Sequence, residues 1–293
     1  MELYRESNRF DLHTHSRASD GMNTPAENVR LAKENGLVGL SITDHDTVAG
    51  VAEALQAGRE IGITVVPGIE ISTRAGGKDI HVLGYFLNIQ DNLLLERLAH
   101  LREVRGARNE RIIEKLQQLG IDITLQEVKD GLSRPLRPDE SLGRPHIADT
   151  LVRKGFAKDM RDAFDRYLAE GKPGYASLPR IGPVEAMEWI REAGGAPVLA
   201  HPGLYSNDDL VTEIIESGKP AGIEVFHSDH GAEDEQRYLA IADQYGLIPT
   251  GGSDYHGVRQ GVVFHGDLGS RYVAEETVER LKQAALAGQL GSS

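Results

Sequence analysis

Seven short β-rich runs separated by helical stretches constrain this chain more than any other feature. The runs cover residues 9–12, 38–43, 63–69, 80–87, 197–200, 222–226 and 247–250. Between them, residues 25–35, 48–61, 184–192, 210–217 and 232–245 carry apolar side chains at helical spacing, and 274–286 reads as a closing helix. Strands that alternate with helices in this way build a parallel sheet or barrel, because each crossover helix covers one face of the sheet. Local signals agree with this reading: Thr24 caps a helix that has Pro25 at its first position and Glu27 just after, and Gly36 ends it.

The alternation is interrupted once. From Asp91 onward, Leu93, Leu94, Leu98, Leu101, Val104, Ile112, Ile113, Leu116 and Leu119 fall mostly at helical spacing among many charges, with Gly120 as a stop. A stretch rich in proline and arginine, SRPLRPDESLGRPH, then leads into shorter helical patterns at 147–153 and 159–168. The expected organisation is a discontinuous barrel over residues 1–90 and 183–293, with a helical insertion over 91–182 that forms a cap. A chain of 293 residues is long enough for one such domain and its insertion.

Composition narrows the function. With 32 Lys and Arg against 45 Asp and Glu the net charge is −13, which argues against broad binding to duplex DNA or to an anionic membrane. The absence of cysteine excludes disulfides, thiolate metal sites and cysteine nucleophiles. The start MELYRESNRFDLHTH has no apolar leader and no later run is long enough to cross a bilayer, so a cytoplasmic location is expected. Neither G-x-x-x-x-G-K-[ST] nor G-x-G-x-x-G occurs; GGK at 76–78 resembles a hairpin turn, and Gly251 with Gly252 is expected to permit the turn that presents Asp254.

The chemistry gathers at strand boundaries. His13 and His15 follow the first run one residue apart, which puts both imidazoles on one face. Asp20 follows in the same loop; His45 lies past the second run, Glu70 past the third, and His81 at the start of the fourth. His201 ends the fifth, while Asp254 and His256 follow the seventh. In a β/α barrel most of these groups converge on one rim. Imidazole and carboxylate suit Zn, Mn and Fe, and the set exceeds what one tetrahedral ion needs, so two or three divalent ions are expected.

The blocks FDLHTHSRASDG, LSITDHDT, PGIEIS with DIHVLGY, LAHPG and TGGSDYHG resemble those of the polymerase and histidinol phosphatase family, the PHP domain, over essentially the whole chain. That resemblance implies a distorted (β/α)7 barrel with up to three metals in its mouth. It implies that His13, His15, Glu70 and Asp254 hold one ion, that Glu70 bridges to a second completed by His81 and His201, and that Asp20, His45 and His256 hold a third. The inserted block GRPHIADTLVRKGF is similar to that of stand-alone bacterial members acting on nucleotides, which remove a phosphate from nucleoside 3′,5′-bisphosphates, some also trimming short 5′-phosphorylated RNA.

Two or three divalent ions outweigh the carboxylates Asp20, Glu70 and Asp254, so the mouth is expected to be electropositive inside a chain of net charge −13. A small phosphorylated substrate, a nucleotide or a short single-stranded RNA, is the expected partner, attacked in line by water activated between two ions. Glu70 and Asp254 are expected to be catalytic through the metals. The resemblance favours His227 as a phosphate ligand or as the acid that protonates the leaving alcohol. Arg144 and His146, in the insertion, are the preferred additional phosphate contacts; Arg134 and Arg137 read as loop residues, Tyr255 as packing, and His100, His230 and His265 as structural or surface residues. A histidinol-phosphate phosphatase and a non-catalytic metal-stabilised binding module are the alternatives, and the oligomeric state is not readable.

Overall fold

The computed structural model describes residues 8–290. Three parallel strands open the barrel: β1 (Arg9–Asp11), β2 (Gly39–Ile42) and β3 (Thr64–Ala75). They are linked by helices α1 (Pro25–Glu34) and α2 (Val51–Ile61). The Thr24 hydroxyl accepts from the Glu27 amide, and the Glu27 carboxylate accepts from the Thr24 amide at 2.7 Å, so the start expected from sequence closes as a full capping box.

The parallel pattern breaks at β4 (Lys78–Tyr85), which runs antiparallel to both β3 and β5 (Ala196–Leu199). Gly76 and Gly77, with φ of 54° and 79°, make the two-residue turn that the GGK signal indicated. The reversal matters for function: the start of β4, which carries His81, is delivered to the rim where the other strands end. Parallel pairing resumes through β6 (Gly222–His227) and β7 (Ile248–Gly252).

Closure of the barrel joins the last of these strands to the first. The Leu12 amide donates to the Gly251 carbonyl at 3.3 Å, and Thr14 bridges Tyr255 in parallel register. A Cβ on Gly252 would collide with the His13 backbone, so the glycine serves this close approach inside β7 and not the turn expected from sequence.

The insertion begins with α3 (Asn92–Gln118), followed by α4 (Leu125–Asp130), α5 (Arg144–Arg153) and α6 (Met160–Ala163), the last running into a π-helical turn at Phe164–Leu168. At about 40 Å, α3 is long enough to serve two cores. Leu94, Leu98 and Leu101 pack with the barrel, whereas Ile112, Ile113 and Leu116 join Ile147, Leu151 and Leu168 in a separate cluster. Its first half therefore packs as part of the barrel, although a boundary at residue 91 would assign all of it to the cap.

The barrel is covered outside by α7 (Pro183–Glu192), α8 (Asp208–Gly218), α9 (Ala232–Tyr245) and α10 (Glu275–Leu290). A hairpin of β8 (Val258–Arg259) and β9 (Val262–Val263) and an edge strand β10 (Val273–Ala274) pairing with β1 went unseen in the sequence, as did α4. Two-residue strands are too short for alternation to register. No helix among the described residues is long and apolar enough to cross a membrane.

Candidate active site

Every candidate ligand named from the sequence meets at one rim. His13 and His15 project the same way beyond β1, their rings 5.2 Å apart. His13 Nε2 lies 3.3 Å from Asp254 Oδ1 and 3.5 Å from Glu70 Oε2; His15 Nε2 lies 3.0 Å and 3.3 Å from the same atoms. Glu70 Oε1 faces His81 Nδ1 at 2.7 Å and His201 Nε2 at 3.1 Å. Asp20 faces His256 Nε2 at 3.3 Å and, at 3.9 Å, the Nε2 of His45, whose Nδ1 is 2.9 Å from Glu70 Oε2.

These contacts fit metal coordination better than they fit hydrogen bonding. His13 Nε2, His15 Nε2, Asp20 Oδ1, His45 Nδ1, Glu70 Oε2, His81 Nδ1 and Asp254 Oδ1 are buried and have no hydrogen-bond partner. Buried polar atoms are ordinarily satisfied, so a cluster of orphans calls for another occupant. Donors bonded to one ion at 2.0–2.2 Å sit about 3.0 to 3.5 Å from each other, the spacing found here around His13, His15, Glu70 and Asp254. Burial alone would raise the Glu70, Asp20 and Asp254 carboxyls, yet the surrounding imidazoles hold all of them well below the usual carboxylate range. Burial pushes His45 and His201 down to about 4, whereas the neighbouring carboxylates hold His13 well above the usual imidazole range and His15 at about 10.

The backbone is bent to serve the cluster. His201, Asp46 and Asp254 have φ of 21°, 55° and 54°, a region that costs an L residue on the order of 1–3 kcal/mol and persists where surrounding contacts over-determine it. Some of those contacts involve residues that sequence reasoning missed. Glu224 accepts from His13 Nδ1 at 2.9 Å and from the His201 amide at 2.8 Å, orienting two candidate ligands at once. Asp44 accepts from the Ser16 amide and both the Ser16 and Ser19 hydroxyls, which shapes the loop carrying His15 and Asp20. Their signal was a charged residue where burial was expected: Glu224 sits inside the apolar run GIEVF.

The cluster lines a cavity of about 230 Å³. Arg105, Arg108, Arg144 and Arg180 line the same cavity, together with Phe164, Phe264 and His265. Arg105 grips Asp46 through Nε at 2.9 Å and Nη2 at 2.6 Å. Asp79 is shared among Arg74 at 3.1 Å, Arg144 at 3.4 Å and Arg180 at 3.6 Å. Phe164 and Phe264 stack with centroids 5.7 Å apart.

The remaining expectations divide. Arg144 lines this cavity, but its intended partner does not: the Gly143 amide donates to His146 Nδ1 at 3.1 Å, so His146 caps its own helix and faces a second cavity with Arg134, Arg153 and Arg259. Arg134 is held by Glu140. His227 is fully buried and absent from the cavity lining. Its Nδ1 accepts from the Asp229 amide at 3.1 Å, which leaves Nε2 to donate to Asp254 Oδ2 at 3.3 Å. In that geometry His227 supports Asp254. The exposed position belongs to His265, left aside from sequence, whose Nε2 is 3.5 Å from Asp254 Oδ2 and whose Nδ1 pairs with Asp229 at 2.6 Å. His230 is satisfied by Val225 and Gly203, and Tyr255 packs in the core beside α1, as expected.

A family model described as the PHP domain matches residues 11–170. The chain belongs to the PHP domain family. Among PHP relatives, a 3′,5′-nucleoside bisphosphate phosphatase of Chromobacterium violaceum is 36% identical over 259 residues, 86% of this chain and 88% of that protein. The 5′-3′ exoribonuclease Rnm of Escherichia coli is 36% identical over 254 residues, 84% of this chain and 85% of the relative. A crystal structure from Bifidobacterium adolescentis, named for an inferred metal-dependent phosphoesterase activity, superposes with a TM-score of 0.83 at 32% identity, covering 95% of this chain and 97% of the other.

Proposed function

We propose that this PHP protein is a metal-dependent phosphoesterase of nucleotides that removes the 3′-phosphate of nucleoside 3′,5′-bisphosphates and extends to 5′–3′ trimming of short single-stranded RNA. The observation that carries the reading is the cavity itself, lined both by orphaned metal-type donors and by guanidinium groups. The names of the Chromobacterium and Escherichia coli relatives point the same way. His13, His15, Glu70 and Asp254 would hold one divalent ion, Glu70, His81 and His201 a second, and Asp20, His45 and His256 a third. When bound, such ions lower the pKa of water and neutralise charge on the reacting phosphate.

The chain's own groups do the rest. Glu224 and His227 fix the orientation of His13 and Asp254. His265, facing the cavity with its Nδ1 held by Asp229, is placed to exchange a proton near the reacting group. Phe164 and Phe264 offer a flat apolar surface to a base. A histidinol-phosphate pocket would need a free carboxylate for the ammonium; beside the arginines the acid is Asp79, already committed to them.

The test is a panel of nucleoside 3′,5′-bisphosphates, nucleoside monophosphates, histidinol phosphate and short 5′-phosphorylated RNA, assayed with metal-replete protein. The bisphosphate is expected to give the highest kcat/KM; a higher value on histidinol phosphate overturns the nucleotide assignment.

A further inference from the structure

A second cavity, of about 200 Å³, lies behind the loop that carries Asp20, with Gly21 and Met22 in its wall. It shares no lining residue with the cavity of the ligand cluster. Arg17, Arg134, Arg153, Arg259 and His146 line it, and the one carboxylate among its lining residues is Asp149. On a chain of net charge −13 this is a local excess of positive charge. Little of that excess is spent inside the protein. Arg134 is neutralised by Glu140, but Arg17 reaches Glu27 only at 4.0 Å. Asp149 is divided: it accepts from the Gln260 side chain at 2.7 Å and stands 3.9 Å from both Arg153 and Arg259. Two of the donors are also out of water, Arg259 at 6% exposed and His146 at 7%. The His146 ring takes the Gly143 amide on Nδ1, and burial with the charge of Arg259 pushes its pKa down to about 4. Its proton therefore sits on Nε2, which has no acceptor among the described residues. A buried donor of this kind ordinarily has a partner.

We infer that this cavity is a separate anion site, which takes a phosphate group through Arg259, Arg153 and His146. A tetrahedral dianion accepts from several donors at once, and guanidinium groups pair with it in bidentate fashion. The donors are held in place before any ligand arrives. Arg259 Nη2 donates to the Asp20 carbonyl at 2.9 Å, and the Met22 amide in the wall donates to the His256 carbonyl at 2.8 Å. Donors fixed in this way lose little freedom on binding, which favours affinity. The inference goes beyond the proposed function and does not depend on it. The site acts by binding alone; no bond is made or broken there.

The test titrates metal-replete protein with inorganic phosphate by calorimetry and, in parallel, measures inhibition of turnover by the same ion. Wild-type protein should bind two phosphates per chain, only one of which competes with substrate. Arg153→Gln, a change at a half-exposed side chain, should weaken the non-competing site by about 10- to 100-fold, the range for a hydrogen bond to a charged group. His146→Phe keeps the bulk of the ring, removes the donor and should weaken the same site by about tenfold, so each variant reads the site independently. In both variants the competitive inhibition constant should move by less than about threefold, as for independent sites. A single phosphate per chain that competes fully with substrate, or a second site untouched by both variants, overturns the inference. Short 5′-phosphorylated RNA shows where the phosphate comes from. An Arg153→Gln variant that loses kcat/KM on RNA but not on the nucleoside bisphosphate assigns the site to the backbone of a longer strand, and an unchanged ratio assigns it to a free phosphate ion.

Discussion

The ligand cluster and the arginines that line the same cavity are built by opposite means. The ligand cluster is assembled from strand termini and the loops just past them, each residue placed by a short local segment: H-x-H after β1, His45 after β2, Glu70 within β3, and D-x-H after β7. The arginine lining is assembled by docking. Arg105 and Arg108 reach the cavity because one half of α3 lies against the barrel, and Arg180 because the chain returns from the insertion at that point. The contrast teaches that the ligand cluster is a property of the barrel, whereas the arginine lining is a property of how the insertion sits on it.

The largest expected effect breaks the comparison at the ligand cluster. Elemental analysis of active protein should find two or three transition ions per chain, and full chelation should reduce turnover by more than about 10³-fold, because the orphaned donors have no other role. One ion or fewer in active protein would falsify the multi-metal site. Re-addition should also raise the melting temperature, since a ligand that binds only the folded state stabilises it.

At the docking contact, Arg105→Ala should destabilise the protein by about 3–5 kcal/mol, because it strands the buried Asp46 carboxylate. Denaturant unfolding measures it. A loss below about 1 kcal/mol would mean that α3 is held without this pair.

Smaller effects sharpen the division. Glu224→Gln should weaken metal affinity about 10- to 100-fold, the usual range for a group that orients a ligand, with less loss of kcat once metal is saturating. Competitive chelator titration reads it, and unchanged affinity would remove Glu224 from the site. His227→Ala should lower kcat equally on nitrophenyl phosphate and on a poor leaving group, because the residue contacts Asp254 and not the cavity. A loss confined to the poor leaving group would restore the acid role. Smallest of all, His146→Ala should cost about 1 kcal/mol of stability as a lost helix cap and leave kcat/KM unchanged on both substrates. A selective loss on the bisphosphate would put His146 back beside Arg144.

Legibility followed the same division. The seven barrel strands, the insertion and every candidate ligand could be located in the chain, because a strand followed by a polar turn places side chains by local geometry alone. The antiparallel sense of β4 was only hinted at by GGK, and the short β8–β9 hairpin that precedes Phe264 left no periodic trace. His265 was passed over for that reason: with φ of 65° it leaves the hairpin in a direction no alternation rule predicts.

The amino-acid sequence by itself determined the barrel, the rim and the identity of the metal-type donors, since each depends on contacts within one strand and its following loop. Only the tertiary structure decided which cations line the cavity. On α3 the buried stripe runs Leu94, Leu98, Leu101, Arg105, Arg108, Ile112 and Leu116, so two arginines occupy positions where the helical period predicts apolar side chains. Along a helix full of charges they look like part of its solvated face. Docking against the barrel takes them out of water and gives the Asp46 carboxylate to Arg105.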